Sequence, residues 1–263
     1  MQGKQMNNIF LDLVLRAYHG VVPPRIDREI GRAIAIPQHQ FPRSVVLPKH
    51  YGKKMSERVV EILIARLTCQ AGRKILDVGH ANATNAHLRM LMSLPRPIDI
   101  TGIDIVPAQS TIRSIYSHSA TGTIIRTDFS EGSFDLIWCI SALEHFGMDN
   151  SIYTDRFALD KEMDMKALEE MMRILRIGGT IYISVPFGKF EDHGWHRNYD
   201  QDRWQKLLAV ARPVSRIDEL FFKYSDESGW SVAIPDALST TGYLDHENSG
   251  ASGLAVALIQ KLR

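Results

Sequence analysis

The chain carries only two cysteines in 263 residues, Cys69 and Cys139. Both sit in apolar runs, which excludes a disulfide framework and a zinc-type spacing and reads as buried thiols. Charge of one sign is also missing: 31 Lys and Arg stand against 30 Asp and Glu, a net charge of +1. A nucleic-acid surface needs a clustered basic face, so no nucleic-acid partner is expected. No long hydrophobic run is present either. The N-terminal "IFLDLVL" is interrupted by Asp12 and is followed by no small-residue cleavage site. Neither a signal peptide nor a membrane span is expected, and a cytoplasmic location follows. No His-x-x-x-His or comparable spacing fixes a metal site.

Glycine is scarce at one telling place. In "KILDVGHANATNAHL", residues 74–88, an apolar strand runs into Asp77 and Gly79, and a helix should follow. A dinucleotide turn wants Gly-x-Gly-x-x-Gly there, so that the backbone can approach a pyrophosphate. This chain supplies Gly79, Ala81 and Thr84 instead. A ligand without phosphate tolerates that exchange.

What is present is ordinary for a globular core, at 44% hydrophobic and 23% charged residues. Residues 1–50 form an N-terminal extension, with an amphipathic helix over 8–18 followed by Pro23, Pro24, Pro37, Pro42 and Pro48. It is read as a lid, a cap or a dimer contact, so a homodimer is one compatible assembly. Residues 51–263 form the main domain. Ser56 stands as an N-cap before "ERVVEILIARL", whose Val59, Val60, Leu63, Ile64 and Leu67 share a stripe. Strand-like runs then fall at 75–78, 98–103, 123–125, 136–140 and 180–185, with helical segments at 85–92, 107–116 and 165–175, the last stopped by Gly178. Asp200 caps a helix that buries Trp204, Leu207 and Leu208. Two late runs, "SRIDELFFKY" and "SGLAVALIQKL", lack a crossover helix and should pair antiparallel. The class is α/β with a mainly parallel sheet.

Asp77, Asp104 and Asp128 each follow a strand-like run, one per strand-helix unit. Carboxylates at the carboxyl edge of such a sheet repel a diphosphate and suit a ligand with an amine, a ribose and an adenine. S-adenosylmethionine has those parts.

With "GIDIVP", "TDFSEGSFDLIWCISALEHFG" and "MMRILRIGGTIYISVPFG", the stretch from Tyr51 to Arg263 resembles the class I S-adenosylmethionine-dependent methyltransferases, in their small-molecule (methyltransferase type 11/12-like) branch. The resemblance implies a Rossmann-like seven-stranded sheet, mainly parallel with an antiparallel last strand, and helices on both faces. It also implies S-adenosylmethionine as cofactor. Gly79 and Ala81 would line its methionine and ribose part, with His80 between them, and Asp77 would orient the loop. Asp104 would accept from the ribose hydroxyls with Ile105 beside it, Asp128 and the Phe129 amide would meet the adenine, and Ser141 would border the site. "GHANA" departs from the family's glycine-rich turn.

The methyl acceptor implied by the resemblance is a small molecule, a sugar or glycan precursor or a secondary metabolite, with oxygen as the first choice of acceptor atom and nitrogen and carbon left open. His145, in "SALEHFG", and His193 and His196, in "EDHGWHRNYD", are the candidate bases, since an oxygen acceptor must lose a proton. Glu144, Trp195, Arg197 and Tyr199 are the candidate acceptor-binding residues. The long connection 147–166 should form part of the acceptor pocket. Two other readings share the alternation: a non-catalytic S-adenosylmethionine-binding protein, and a nicotinamide-dependent oxidoreductase, which would need the full glycine fingerprint.

Overall fold

A computed structural model describes residues 24–263 except 96, 156, 247 and 249. The helix expected over 8–18 lies outside the described residues. The first helix is α1 (Arg25–Ile34), and α2 (Arg58–Thr68) packs beside it. An eight-stranded sheet then forms from β1 (Lys74–Val78), β2 (Asp99–Asp104), β3 (His118–Thr121), β4 (Phe134–Ile140), β5 (Leu175–Pro186), and the later strands β8 (Ser215–Ser225), β9 (Gly229–Ala233) and β10 (Gly253–Lys261). The two-residue strands β6 (Glu191–Asp192) and β7 (Arg197–Asn198) make a separate small ribbon. The helices between are α3 (Asn85–Ser93), the single turn α4 (Ser110–Arg113), α5 (Met163–Ile174) and α6 (Gln201–Ala209).

The sheet order is β3-β2-β1-β4-β5-β10-β8-β9. The pairs from β3 to β5 are parallel, whereas β10 runs antiparallel to both β5 and β8. The expected late pairing is therefore present, with Ala257 opposite both Glu219 and Ile183. The strand count is eight rather than the expected seven, because β9 folds back on β8 as an edge hairpin through the turn at 226–228. Its Trp230 and Gly229 close against the Tyr51 segment, which gives that hairpin apolar cover.

Strand alternation divides the core between the two faces of the sheet. In β10, Ala255, Ala257 and Ile259 join the cluster under α5 and α6, while Leu254, Val256 and Leu258 join the one under α2 and α3. Ile30, Ala33 and Val45 add to the second cluster, so residues 24–50 pack on the same core as the sheet. Each buried Val, Leu or Ile side chain among them contributes about 1.5–3 kcal/mol.

Three local expectations shift. The third strand lies at 118–121 rather than 123–125, since the 123–125 backbone turns away to border a cavity. The helix expected over 107–116 is one turn long. The cap position of α2 is Glu57, not Ser56, and Gly178, at φ 78°, falls inside β5 after α5 has already ended at Ile174. Asp200 caps α6 as expected, accepting from the Arg203 N–H at 2.8 Å. Among the described residues, no helix is long and apolar enough to cross a membrane.

Candidate functional site

The strand order reverses between β1 and β4, and in an open α/β sheet ligands sit at the carboxyl ends there. A cavity of about 450 Å³ opens at that point, inside the range of roughly 300–1,000 Å³ typical of small-molecule sites. Gly79 ends β1 at φ 85°, and its N–H donates to the Ile103 carbonyl at 2.9 Å. A Cβ there would stand 2.7 Å from the Ala142 Cβ, so only glycine lets the two strand ends meet. Ser141, at φ 41°, is held by its N–H against the carbonyl and hydroxyl oxygens of Ser184, both at 3.2 Å.

Asp104 ends β2 in the cavity wall, followed by Ile105 and Val106. Its Oδ2 accepts from the Ala81 N–H at 2.9 Å and its Oδ1 from the Val106 N–H at 3.1 Å. Burial raises its pKa, and those same N–H groups oppose the shift. Each carboxylate oxygen keeps a further lone pair for a ligand. The cavity is also lined by Gly122, Thr123, Ile124 and Ile125.

Gly79, Asp104, Ile105, Ser141 and His145 thus border the cavity together. Other expected members do not. Asp77 is buried within β1, where its Oδ2 accepts from the Tyr116 hydroxyl at 2.6 Å and lies 3.0 Å from His87 Nε2. His80 turns inward onto Gly102, with Nε2 2.7 Å from the Ser119 hydroxyl. Ala81 is buried and serves Asp104 through its backbone. Asp128 is exposed and outside the lining, and Phe129 packs edge-on against Phe134 at 5.0 Å. The row of three carboxylates expected at the rim is therefore a single one. β3 ends early, and the residues facing the cavity after it are 122–125.

Of the histidines, His145 alone of the three expected bases lines the cavity. Its Nδ1 lies 2.9 Å from the Trp195 carbonyl oxygen, which can only accept, so the proton sits on Nδ1 and Nε2 keeps its lone pair. Burial lowers the His145 pKa, the bond to Trp195 opposes that, and the charges of Arg58 and Arg197 lower it further. His196 is buried behind it with both ring nitrogens unpartnered, pushed down to about 4 by burial and by His193 and His145. His193 stacks on His196 at 4.5 Å, its Nε2 3.3 Å from Glu191.

The expected acceptor-binding residues are mostly structural. Arg197 is buried and donates to the carbonyls of Phe146 and Lys161 at 2.5 and 3.3 Å. Tyr199 is fully buried, its hydroxyl donating to Asp164 at 2.6 Å. Trp195 stacks on His145 at 5.0 Å outside the lining. Glu144 lies beneath the cavity, 3.9 Å from His145 Nε2, and burial pushes its carboxyl up to about 8.

The connection 147–166 does reach the cavity, through Gly147, Asn150, Tyr153, Phe157, Ala158 and Met163. It is a loop closed on itself: the Asp160 N–H donates to the Gly147 carbonyl at 3.1 Å, and a Cβ on Gly147 would run into the Asp160 carbonyl. The sequence reading missed Arg58, His87 and Tyr153. Arg58 stood in a helix read only for its apolar stripe. Yet Glu61, within that helix, is fully buried and accepts from Arg58, Ser141 and Ser184. An acid on a buried face was the available signal. Among the described residues, no group of three or more His, Cys, Asp or Glu side chains is placed to hold a metal ion.

The chain is similar in fold to solved structures of low identity. One is the 1,6-didemethyltoxoflavin-N1-methyltransferase of Burkholderia thailandensis, with bound 1,6-didemethyltoxoflavin and S-adenosylhomocysteine. It is 13% identical over 93% of this chain and 92% of that one, with a TM-score of 0.51. A chain of the Haloferax volcanii complex between the Trm112 methyltransferase activator and a methyltransferase is 15% identical. That match covers 92% of this chain and all of that one, at a TM-score of 0.50. The cyclase SpnF is 15% identical over 78% of this chain and 81% of that one, also at 0.50. Residues 76–183, from β1 through the cavity-facing strand ends to β5, match the methyltransferase domain family. Residues 76–183 thus carry a methyltransferase domain, with the Gly79 turn and the Asp104 carboxylate at the switch point of the sheet, and S-adenosylmethionine is the cofactor of such a domain.

Proposed function

We propose that the protein transfers a methyl group to an oxygen of a small molecule. The observation that carries this reading is His145, whose Nδ1–H is committed to the Trp195 carbonyl and whose Nε2 keeps a lone pair beside the cavity. A neutral imidazole of fixed tautomer is a ready proton acceptor, and a hydroxyl acceptor is the kind that needs one.

Gly79, Asp104, Ile105 and Ser141 would hold the cofactor. Gly79 leaves room where a Cβ would meet Ala142, and Asp104 offers carboxylate oxygens to ribose hydroxyls. Ile105, Ile124 and Ile125 give apolar flanks to a purine. When bound, S-adenosylmethionine supplies a methyl group on a sulfonium, taken up by an oxygen lone pair while sulfur keeps the bonding pair as a neutral thioether. The proton released by the acceptor oxygen goes to His145 Nε2. Phe146, Tyr153 and Phe157 line that space with apolar rings, and the positive charge that leaves sulfur ends on the His145 imidazolium.

The test is calorimetric titration with S-adenosylhomocysteine and, separately, NAD. S-adenosylhomocysteine should bind and NAD should not. Asp104→Ala should weaken the former about tenfold or more, the cost of unpaired ribose hydroxyls at about 1–3 kcal/mol. Preference for NAD, or unchanged affinity in a folded Asp104→Ala variant, would overturn the reading of this site.

A further inference from the structure

Arg58 and His145 line the same cavity, together with the rings of Phe146, Tyr153 and Phe157. Glu61 Oε2 binds one Arg58 nitrogen at 2.9 Å, but 30% of the Arg58 side chain stays exposed. The guanidinium therefore keeps donors for a ligand. Tyr153 is 41% exposed and meets His145 edge-on, at 6.1 Å between ring centres. A flat ring can lie against these side chains, next to the imidazole nitrogen that carries the lone pair.

We propose that the acceptor is a phenol or enol, its hydroxyl at His145 Nε2, its planar ring among Phe146, Tyr153 and Phe157, and Arg58 facing the developing oxyanion. This deepens the methyltransferase reading above and rests on it.

Proton-transfer arithmetic separates hydroxyl classes. Burial and the neighbouring arginines hold His145 below the usual imidazole range, which centres on about 6.5. A phenol ionises near about 10, so handing its proton to that imidazole is uphill by roughly 3,000-fold or more. An aliphatic hydroxyl with an acidity near bulk water, about 15.7, faces a factor of roughly a billion. The first gap is by far the smaller for a positioned base to close.

Charge separates oxygen from nitrogen. Arg58 and Arg197 both disfavour a positive imidazole at His145. The same field disfavours the ammonium that a neutral amine becomes on methylation and favours a phenolate. Beside His145, Phe146 and Phe157 offer stacking and edge contacts to a ring and, being apolar, no partner for hydroxyls on that side.

The experiment uses the full chain loaded with S-adenosylhomocysteine, with saturation-transfer NMR against catechol, 2-naphthol, aniline, methyl glucoside and inositol. The two phenols should receive saturation and the other three should not. With S-adenosylmethionine in place of the product, mass spectrometry should find O-methyl catechol or O-methyl naphthol. His145→Ala should lower kcat by about 100-fold or more, with the KM for the phenol changed less than about threefold. Protein that binds S-adenosylhomocysteine but takes up polyol or aniline in preference, or none of the five, overturns the acceptor class. Protein that fails to bind S-adenosylhomocysteine fails the underlying reading instead.

Discussion

The Ser141 hydroxyl lies 2.5 Å from Glu61 Oε1, joining the strand end that borders the cavity to the first turn of α2. Ser184 reaches the same oxygen from β5 at 2.7 Å, Arg58 holds Oε2 at 2.9 Å, and the Tyr182 hydroxyl takes the Glu61 carbonyl at 3.0 Å. A fully buried carboxylate thus ties a helix to two strands, with its donors on three elements. Replacing it by an apolar group strands Arg58 and two hydroxyls at once. Glu61→Leu should cost about 3–5 kcal/mol, the usual price of breaking a buried ion pair from one side. Urea denaturation checks this, and a loss below about 1 kcal/mol would show that water or rotation satisfies the group instead.

Gly79→Ala tests the meeting of β1 and β4. The added methyl would stand 2.7 Å from the Ala142 Cβ, on a residue whose φ of 85° is unfavourable for any L side chain. The backbone penalty alone is roughly 1–2 kcal/mol. Relief requires the turn to move, and the turn carries Ala81, whose N–H orients Asp104. A melting temperature lowered by several degrees should therefore accompany at least a tenfold loss of S-adenosylhomocysteine affinity. A folded variant with full affinity would show that the turn is not held as described.

How much of this was legible beforehand follows the range of the interactions involved. The alternation that puts Ala255, Ala257 and Ile259 on one face and Leu254, Val256 and Leu258 on the other is a local property of the chain, and so is the Asp200 cap. The antiparallel pairing of β8 with β10 followed from the missing crossover helix. Asp104 was found because it ends a strand, and His145 because it lies in the short turn that follows one. Asp128 looked equivalent, but the position of a strand end depends on pairing, and β3 pairs with β2 only as far as Thr121. Arg197 looked like a ligand residue because its partners, Phe146 and Lys161, are 51 and 36 positions away and both are carbonyls, which no composition reveals.

Stability should fall as pH rises from about 6.5 to 8. Burial raises the Glu144 carboxyl to about 8 in the folded chain, with Glu61 and Glu57 adding to the shift, against an unfolded value of about 4.3. The folded state therefore holds more protons than the unfolded one across this window. A group raised in this way stabilises fully below its unfolded pKa and loses that contribution as pH climbs through the folded value. Glu57 is raised in the same direction by burial and by Glu61. The slope is at most about 1.4 kcal/mol per pH unit for each carboxyl. His145 and His196, whose pKa values are lowered, act below about 6.5 and leave the window to the acids. Chemical denaturation at several pH values should give this negative slope, and Glu144→Gln should flatten it. An equal slope in the variant would mean that Glu144 is ionised or hydrated throughout.

Arg197 staples the cavity loop, and its removal should loosen that loop without unfolding the sheet. Its guanidinium donates to Phe146 and to Lys161, the residues that flank the 147–160 loop at either end. Within the loop, the Asp160 N–H to the Gly147 carbonyl and the Asn150 amide to the His145 carbonyl complete the closure. Arg197→Met keeps the apolar stem and deletes the donors. Asp164 retains the Tyr199 hydroxyl and Arg203, so the folded state should lose only about 2–3 kcal/mol, in line with hydrogen bonds from a charged group. The local effect should be larger than the global one. Tryptic cleavage after Lys161, followed by mass spectrometry well below the melting temperature, should accelerate about tenfold or more in the variant. Cleavage at unrelated sites should change much less. A uniform acceleration at all sites would assign Arg197 to general stability, and no acceleration at Lys161 would show that Gly147, Asp160 and Asn150 close the loop unaided.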